Sequence, residues 1–554
     1  MKLRCKTWLL AVMAGCAARS HGPAIRFANV PAVTVVDDRR DVPAPPENRR
    51  FLLNTYYFDQ FQRRLTRSLE VHRSQRARGV NALDEVPSST WFTNRIGARD
   101  LTPDELRVGP VTMESPELHK PWTVHSTKPP EIEQRIRITD ARGIEFLLKF
   151  DTPGIPEAET AAQVIVGRLL WACGYNVPED TVVYFRPRDL VLARDAVIDD
   201  PIGKEPLDGQ ELERRLAELD KTPDGQLRAV ASRWVPGQGV GGFPGEGVRA
   251  DDPNDRIPHE LRRDLRGAYP MFAWLEHGDI QEGNFLDVWV ADPRDRRRHY
   301  LEHYLIDFGK ALGVMAITAH DPRRGHERVV DFPKMAGSFV TLALLARSWE
   351  GRYPPALRGV GLFEAASYDP GTWVPDAASY APLLAADRFD KLWGAKILAR
   401  FTREQIHAAV EQGRLSDPRA VEYITEVLVA RQRATARYWF SQTSPLDRFE
   451  ATASDGDQTL CFDDLLIASQ LATPATRYEI TSYDRDQRPI AMRYELAPGA
   501  RGRTCAPLAL AGGFDGYTIV QIVTSRPEFT GTTRVHVARD PSSSTPRVIG
   551  VWRL

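Results

Sequence analysis

Long apolar runs are scarce in this chain. After the first sixteen residues no stretch combines the length and apolarity of a bilayer-spanning helix, which needs about 20 residues. An excess of one charge is also missing. Lys and Arg number 73 against 74 Asp and Glu, a formal net charge of −1. That balance gives no electrostatic case for nucleic acid, or for a membrane surface, as a partner. Cysteine is sparse, five in 554 residues, and none of the spacings is that of a metal site. No serine or cysteine nucleophile motif and no zinc-binding histidine pair occurs, so a hydrolase has no support. Residues 237–247 are glycine-rich, but no helix opens after them, which excludes a dinucleotide fingerprint. Internal repeats are absent.

What remains is an ordinary globular composition, 42% apolar, long enough for two or three domains. The first residues form an address. Lys2, Arg4 and Lys6 precede a short apolar run, closed by Met13-Ala14-Gly15-Cys16. This has signal-peptide form. It also resembles a bacterial lipoprotein signal, although Met13 departs from the usual leucine. The resemblance implies a lipid on Cys16 and membrane attachment through that anchor only. Ala17, in place of an inner-membrane-retaining aspartate, implies the outer membrane, facing the periplasm. Cys5 lies within the signal, and Cys173 sits on the apolar face of a helix as core packing. In an exported chain Cys461 and Cys505 are expected to form a disulfide.

The centre of the chain is the stretch His277-Gly278-Asp279-Ile280-Gln281-Glu282-Gly283-Asn284 and its answer Leu305-Ile306-Asp307-Phe308-Gly309. An apolar run, Phe285 to Val290, a polar turn, Asp292 to Arg298, and a second run, Tyr300 to Ile306, predict a hairpin. A hairpin puts the start of its first strand beside the end of its second. Asn284 and Asp307 should therefore meet, with Asp279 just before them. Such oxygens suit Mg²⁺, which takes one or two carboxylates and completes its shell with phosphates and water.

These two stretches resemble the catalytic loop and the Asp-Phe-Gly motif of the protein-kinase-like superfamily. Glycine at 278, where arginine is usual, is closer to its divergent members, the HipA-type, aminoglycoside and phosphoinositide kinases. The resemblance implies an α+β fold of two lobes, with Asp279 as the catalytic residue and Asn284 and Asp307 as the metal ligands. It implies Mg²⁺ and ATP as cofactors. A strand lysine and a helix glutamate should complete the nucleotide site. Lys149 lies on an alternating strand, Ile144 to Phe150. Glu159 lies at the edge of the apolar stripe of a helix running from Glu159 to Tyr175, with Glu157 on the opposite face. The expected pair is Lys149 with Glu159.

The expected organisation is a signal over 1–16 and a Pro-rich tether over 17–50. A first lobe over 51–235 and a helical second lobe over 236–448 follow, with helix throughout 336–445. A small antiparallel β domain closes the chain over 449–554. One feature weakens a kinase reading. The phosphate-covering segment, Ser126 to Glu133, has no glycine and carries two glutamates. An exported protein would also face a compartment poor in ATP. Two functions follow: phosphoryl transfer to an unidentified envelope protein or small molecule, or an inactive kinase-like fold that binds a ligand or partner.

Overall fold

The computed structural model describes residues 25–47, 62, 75–129, 134–200, 203–315, 321–376, 380–454, 457–472 and 474–554. Cys16 falls outside them, as do Phe58, Phe61, Leu65 and Leu69, whose spacing in the sequence predicts a helix. The chain is mixed α+β, built on one large mixed sheet, three smaller sheets and a group of helices.

Seven strands form the large sheet: β1 (Trp122–Thr127), β2 (Arg135–Thr139), β3 (Glu145–Lys149), β4 (Asp180–Phe185), β5 (Leu190–Asp200), β6 (Gly203–Pro206) and β7 (Leu227–Arg233). Their spatial order is β4-β7-β3-β2-β1-β5-β6, and only β1 and β5 run parallel. Strands β2 and β3 alternate as their sequences require. Ile136, Ile138, Phe146 and Leu148 are buried, while the residues between them face the other side. The Asp140–Gly143 turn sets the register and places Arg135 directly across from Lys149.

The helix Ala158–Cys173 packs beside this sheet, and all its residues except Trp171 are buried. Ile165, Val166, Leu169 and Leu170 each contribute about 1.5–3 kcal/mol through burial. Gly174 ends the helix at φ 130°, and a side chain there would strike the Phe92 ring. Phe92 and its neighbour Trp91 are core residues. Trp91 stacks on His303 at 3.5 Å between centroids, under the Arg262 guanidinium.

A short strand β8 (Gln238–Gly239) joins the hairpin of β9 (Phe285–Ala291) and β10 (His299–Leu305), which pairs without a bulge from Phe285↔Leu305 to Ala291↔His299. Inside it, Asp287 has no exposed side chain. Its oxygens meet Arg249 Nη1 at 2.9 Å and His303 Nδ1 at 2.6 Å, which offsets the cost of burying the charge.

Helices Ala381–Ala385, Arg388–Leu398, Arg403–Glu411 and Pro418–Ser441 follow. The third opens on a capping box in which Thr402 Oγ1 accepts from the Gln405 amide and Gln405 Oε1 accepts from the Thr402 amide. The expectation of helix from 336 onward is corrected. Helix Phe332–Val340 is followed by turns and irregular chain up to 376. None of that helix is buried, and Phe339, Val340, Leu342, Leu344 and Leu345 are all exposed.

Beyond these helices, β11 (Leu446–Ser454), β12 (Asp457–Asp464), β13 (Arg477–Tyr483), β14 (Tyr494–Leu496), β15 (Arg503–Pro507), β16 (Thr518–Arg526), β17 (Phe529–Arg539) and β18 (Pro546–Arg553) form two antiparallel sheets. Their orders are β11-β12-β15 and β14-β13-β16-β17-β18. Cys461 and Cys505 face each other across β12 and β15 and are joined by a disulfide.

Residues 25–47 correct the expectation of a free tether. Val42 is buried, Asp38 accepts from the amide and hydroxyl of Thr90 at 2.8 Å, and Phe27 packs on His536 in the last sheet. Scattered apolar and acidic residues hold this segment, without the periodicity that would have marked it in the sequence.

Candidate functional site

The β9–β10 hairpin brings Asn284 and Asp307 together at its open end, where the Ile306 amide donates to the Asn284 carbonyl at 3.0 Å. Asn284 Nδ2 reaches back to the Asp279 carbonyl at 2.7 Å, so the six-residue loop closes on itself, and Oδ1 of Asn284 has no partner among the described residues. Asp307 adopts a left-handed backbone, φ 68°, uncommon for a residue with a side chain and often tied to function.

Its carboxylate is held from two neighbouring strands. Oδ1 accepts from Lys149 Nζ on β3 and Oδ2 from Arg135 Nη2 on β2, both at 3.1 Å. Burial alone would raise its pKa, but Lys149 and then Arg135 outweigh that. They hold the group well below the ordinary carboxylate range. Directly opposed residues of an antiparallel pair share a face, which is why these two cations reach one acid.

Glu159 stands in the first turn of the Ala158–Cys173 helix, where it accepts from the hydroxyl of Thr152 and, at 3.3 Å, from its amide. The expected Lys149–Glu159 pair is thus replaced by Lys149–Asp307, with both acids on one small cavity. The cavity offers about 20 Å³ of open space, room for one water or ion. One turn along the helix, Gln163 accepts from the Phe308 amide at 2.7 Å and donates to buried Asp180 at 2.6 Å. The Phe308 ring has no exposed surface. It lies against Gly167, where a methyl group would meet it at 3.7 Å, and edge-on to His277.

Asp279 is half-buried. Burial raises its pKa, Lys310 and Arg324 pull it down, and Asp376 and Asp307 push it up; the balance is a raised value. Arg324 grips Asp376 with Nη2 at 2.6 Å and Nε at 3.1 Å, and the Asp376 amide donates to the Gly278 carbonyl at 2.9 Å. That ion pair pins the loop in front of Asp279. A side chain at 278 would collide with Asp376, which accounts for glycine there. Burial pushes the His277 imidazole down to about 4, so it stays neutral and packs on Phe272 and Phe308.

Chemically the cleft offers a carboxylate of raised pKa, a carboxylate of lowered pKa, an amide oxygen on the adjoining loop, and two cations. Among the described residues no group of three or more His, Cys, Asp or Glu is placed to hold a metal ion. An ion here would take Asn284 Oδ1 and one oxygen of Asp307, with the rest of its shell from ligand and water. Arg135, Gln163, Lys310 and Asp376 were not anticipated. The strand register was the signal for Arg135; the others meet the site only through the fold. No family model, curated protein or solved structure matches the chain, so the reading of this cleft rests on its own geometry.

Proposed function

We propose that the chain is a kinase-like phosphotransferase that uses Mg²⁺ and a nucleoside triphosphate, carried by a lipid anchor at Cys16 in the bacterial envelope. In this reading residues 51–235 and 236–448 are its two lobes and the cleft between them is the active site. The observation that carries it is the single contact Lys149 Nζ to Asp307 Oδ1. It sets a strand cation against a hairpin acid, with Asn284 and Asp279 on the adjoining loop. Phosphoryl transfer needs these parts, since it depends on positioning and charge neutralisation.

Mg²⁺, held by Asn284 Oδ1 and Asp307, would supply the charge neutralisation at the transferred group. Lys149, released from Asp307, would bind phosphate oxygens, with Glu159 on the same small cavity. Asp279, made more basic by burial, would accept the proton of an acceptor hydroxyl. Arg324 and Asp376 would hold that loop in place.

A second reading, an inactive kinase-like fold that binds a ligand or partner, is favoured by one observation. Arg135 and Lys149 already occupy both oxygens of Asp307, around a cavity too small for a nucleotide. Nucleotide turnover separates the two. The phosphotransferase reading expects Mg²⁺-dependent release of ADP that Asp279→Asn abolishes. No release in the wild type favours the second reading, and release unchanged in Asp279→Asn refutes Asp279 as the base.

A further inference from the structure

A larger cavity, about 180 Å³, lies away from the candidate site. It is bounded by the last turn of the Ala158–Cys173 helix, the residues before β4, the end of β7 and Tyr304 of β10. Its polar groups are almost all spent on protein partners. Glu179 takes Arg233 and, at 2.8 Å each, the amide and hydroxyl of Thr112. The Tyr304 hydroxyl donates to Glu302 at 3.0 Å, and the Asn176 amide donates to the carbonyls of Thr90 and His303.

Arg95 is the exception. Nη1 donates to the carbonyls of Trp171 at 2.8 Å and Tyr175 at 3.2 Å, and the guanidinium lies 5.0 Å from the Trp171 ring. Among the described residues no carboxylate pairs with it, and Nε and Nη2 have no partner. Burial lowers its pKa only to about 10, so it stays cationic at neutral pH. This guanidinium is partly buried and has no protein counter-ion, so an anion in the cavity can complete its open edge. The remaining walls are apolar: Trp171, Val177, Pro178, Val235 and Pro236. The volume falls below the roughly 300–1,000 Å³ of drug-sized ligand sites, which limits the occupant to about one ring.

We propose that this cavity binds a small apolar monocarboxylate, with the carboxylate on Arg95 and the apolar body between Trp171, Val177 and Val235. Guanidinium pairs with carboxylate through two parallel hydrogen bonds, and Nε and Nη2 are the edge left open for them. The proposal does not depend on the function assigned to the other cleft.

Benzoate, phenylacetate and 3-phenylpropionate, each against its primary amide, are the probes, with binding read by calorimetry and ligand-observed NMR on the full chain. At least one carboxylate should saturate the protein and bind at least about tenfold more tightly than its amide, the loss of one charge-assisted contact. Arg95→Gln should lose that difference. Arg95 also caps a helix end, so Val235→Trp provides an independent test. It fills the cavity, leaves the arginine in place and should abolish binding. Failure of all three carboxylates, amides that bind equally well, or undiminished binding in Val235→Trp would each overturn the proposal.

Discussion

Arg135→Met is the most informative change at the candidate site. Arg135 Nη2 lies 3.1 Å from Asp307 Oδ2, one of the oxygens a divalent cation needs, and the two side chains are 27% and 29% exposed. Exposed ion pairs contribute about 0.2–1 kcal/mol, and hydrogen bonds to charged groups about 1.5–3 kcal/mol. A partly buried, single-contact pair falls between, at about 1–1.5 kcal/mol. An ion that takes Oδ2 displaces that contact, so its removal should tighten Mg²⁺ binding by about five- to tenfold, at roughly 1.4 kcal/mol per decade. Lys149 remains in the variant and keeps Asp307 ionised. Methionine preserves much of the apolar stem that covers the strand. The assay is a calorimetric titration of Mg²⁺ into protein at a fixed, saturating nucleotide concentration, wild type against variant. Equal affinities would show that Arg135 does not compete for Asp307. Weaker affinity in the variant would make Arg135 a ligand for phosphate, and the competition argument would be refuted.

Four further outcomes follow. Asp279→Asn should retain Mg²⁺–nucleotide binding and lose turnover by about 10²–10⁴-fold, as expected when a general base is removed. Because burial raises the Asp279 pKa, its base form is present above that value, and turnover should decline as pH falls through it, at a higher pH than for an exposed aspartate; a pH–rate profile flat across that range would contradict the role. Replacing Cys461 and Cys505 together by serine opens a 44-residue separation and should cost about 2–4 kcal/mol, read as a lower denaturation midpoint of the C-terminal sheets. Cys16→Ser should move the protein from the membrane fraction to the soluble fraction of cells; retention in membranes would rule out the anchor.

The hairpin at the heart of the site was legible because its signals are local. Alternating apolar runs and a polar turn fix two strands, and pairing then forces Asn284 and Asp307 together. The partner of Lys149 was not legible. Two acids, Glu159 and Asp307, stand within reach of one lysine. The choice depends on helix placement to within an ångström or two, and side-chain periodicity does not carry that. Arg135 could have been found by counting across the Asp140–Gly143 turn, which sets it opposite Lys149. Residues 25–47 read as a linker from their prolines, yet Asp38, Val42 and Phe27 anchor them at separate points. Phe339 to Leu345 carries the apolar content of a core helix but remains exposed, so composition alone misplaced it. The C-terminal strands were recognisable individually, whereas their division between two sheets depends on long-range pairing such as Cys461 with Cys505.

The most direct measurement is calorimetric titration of ATP into the protein with and without Mg²⁺, for the wild type and for Asp307→Asn. The substitution keeps the size of the side chain and removes its charge. Saturable binding by the wild type that requires Mg²⁺, and its loss in Asp307→Asn, is the predicted result. Binding that ignores the metal, survives the substitution, or is absent from the wild type would contradict a cation site built from Asn284 and Asp307.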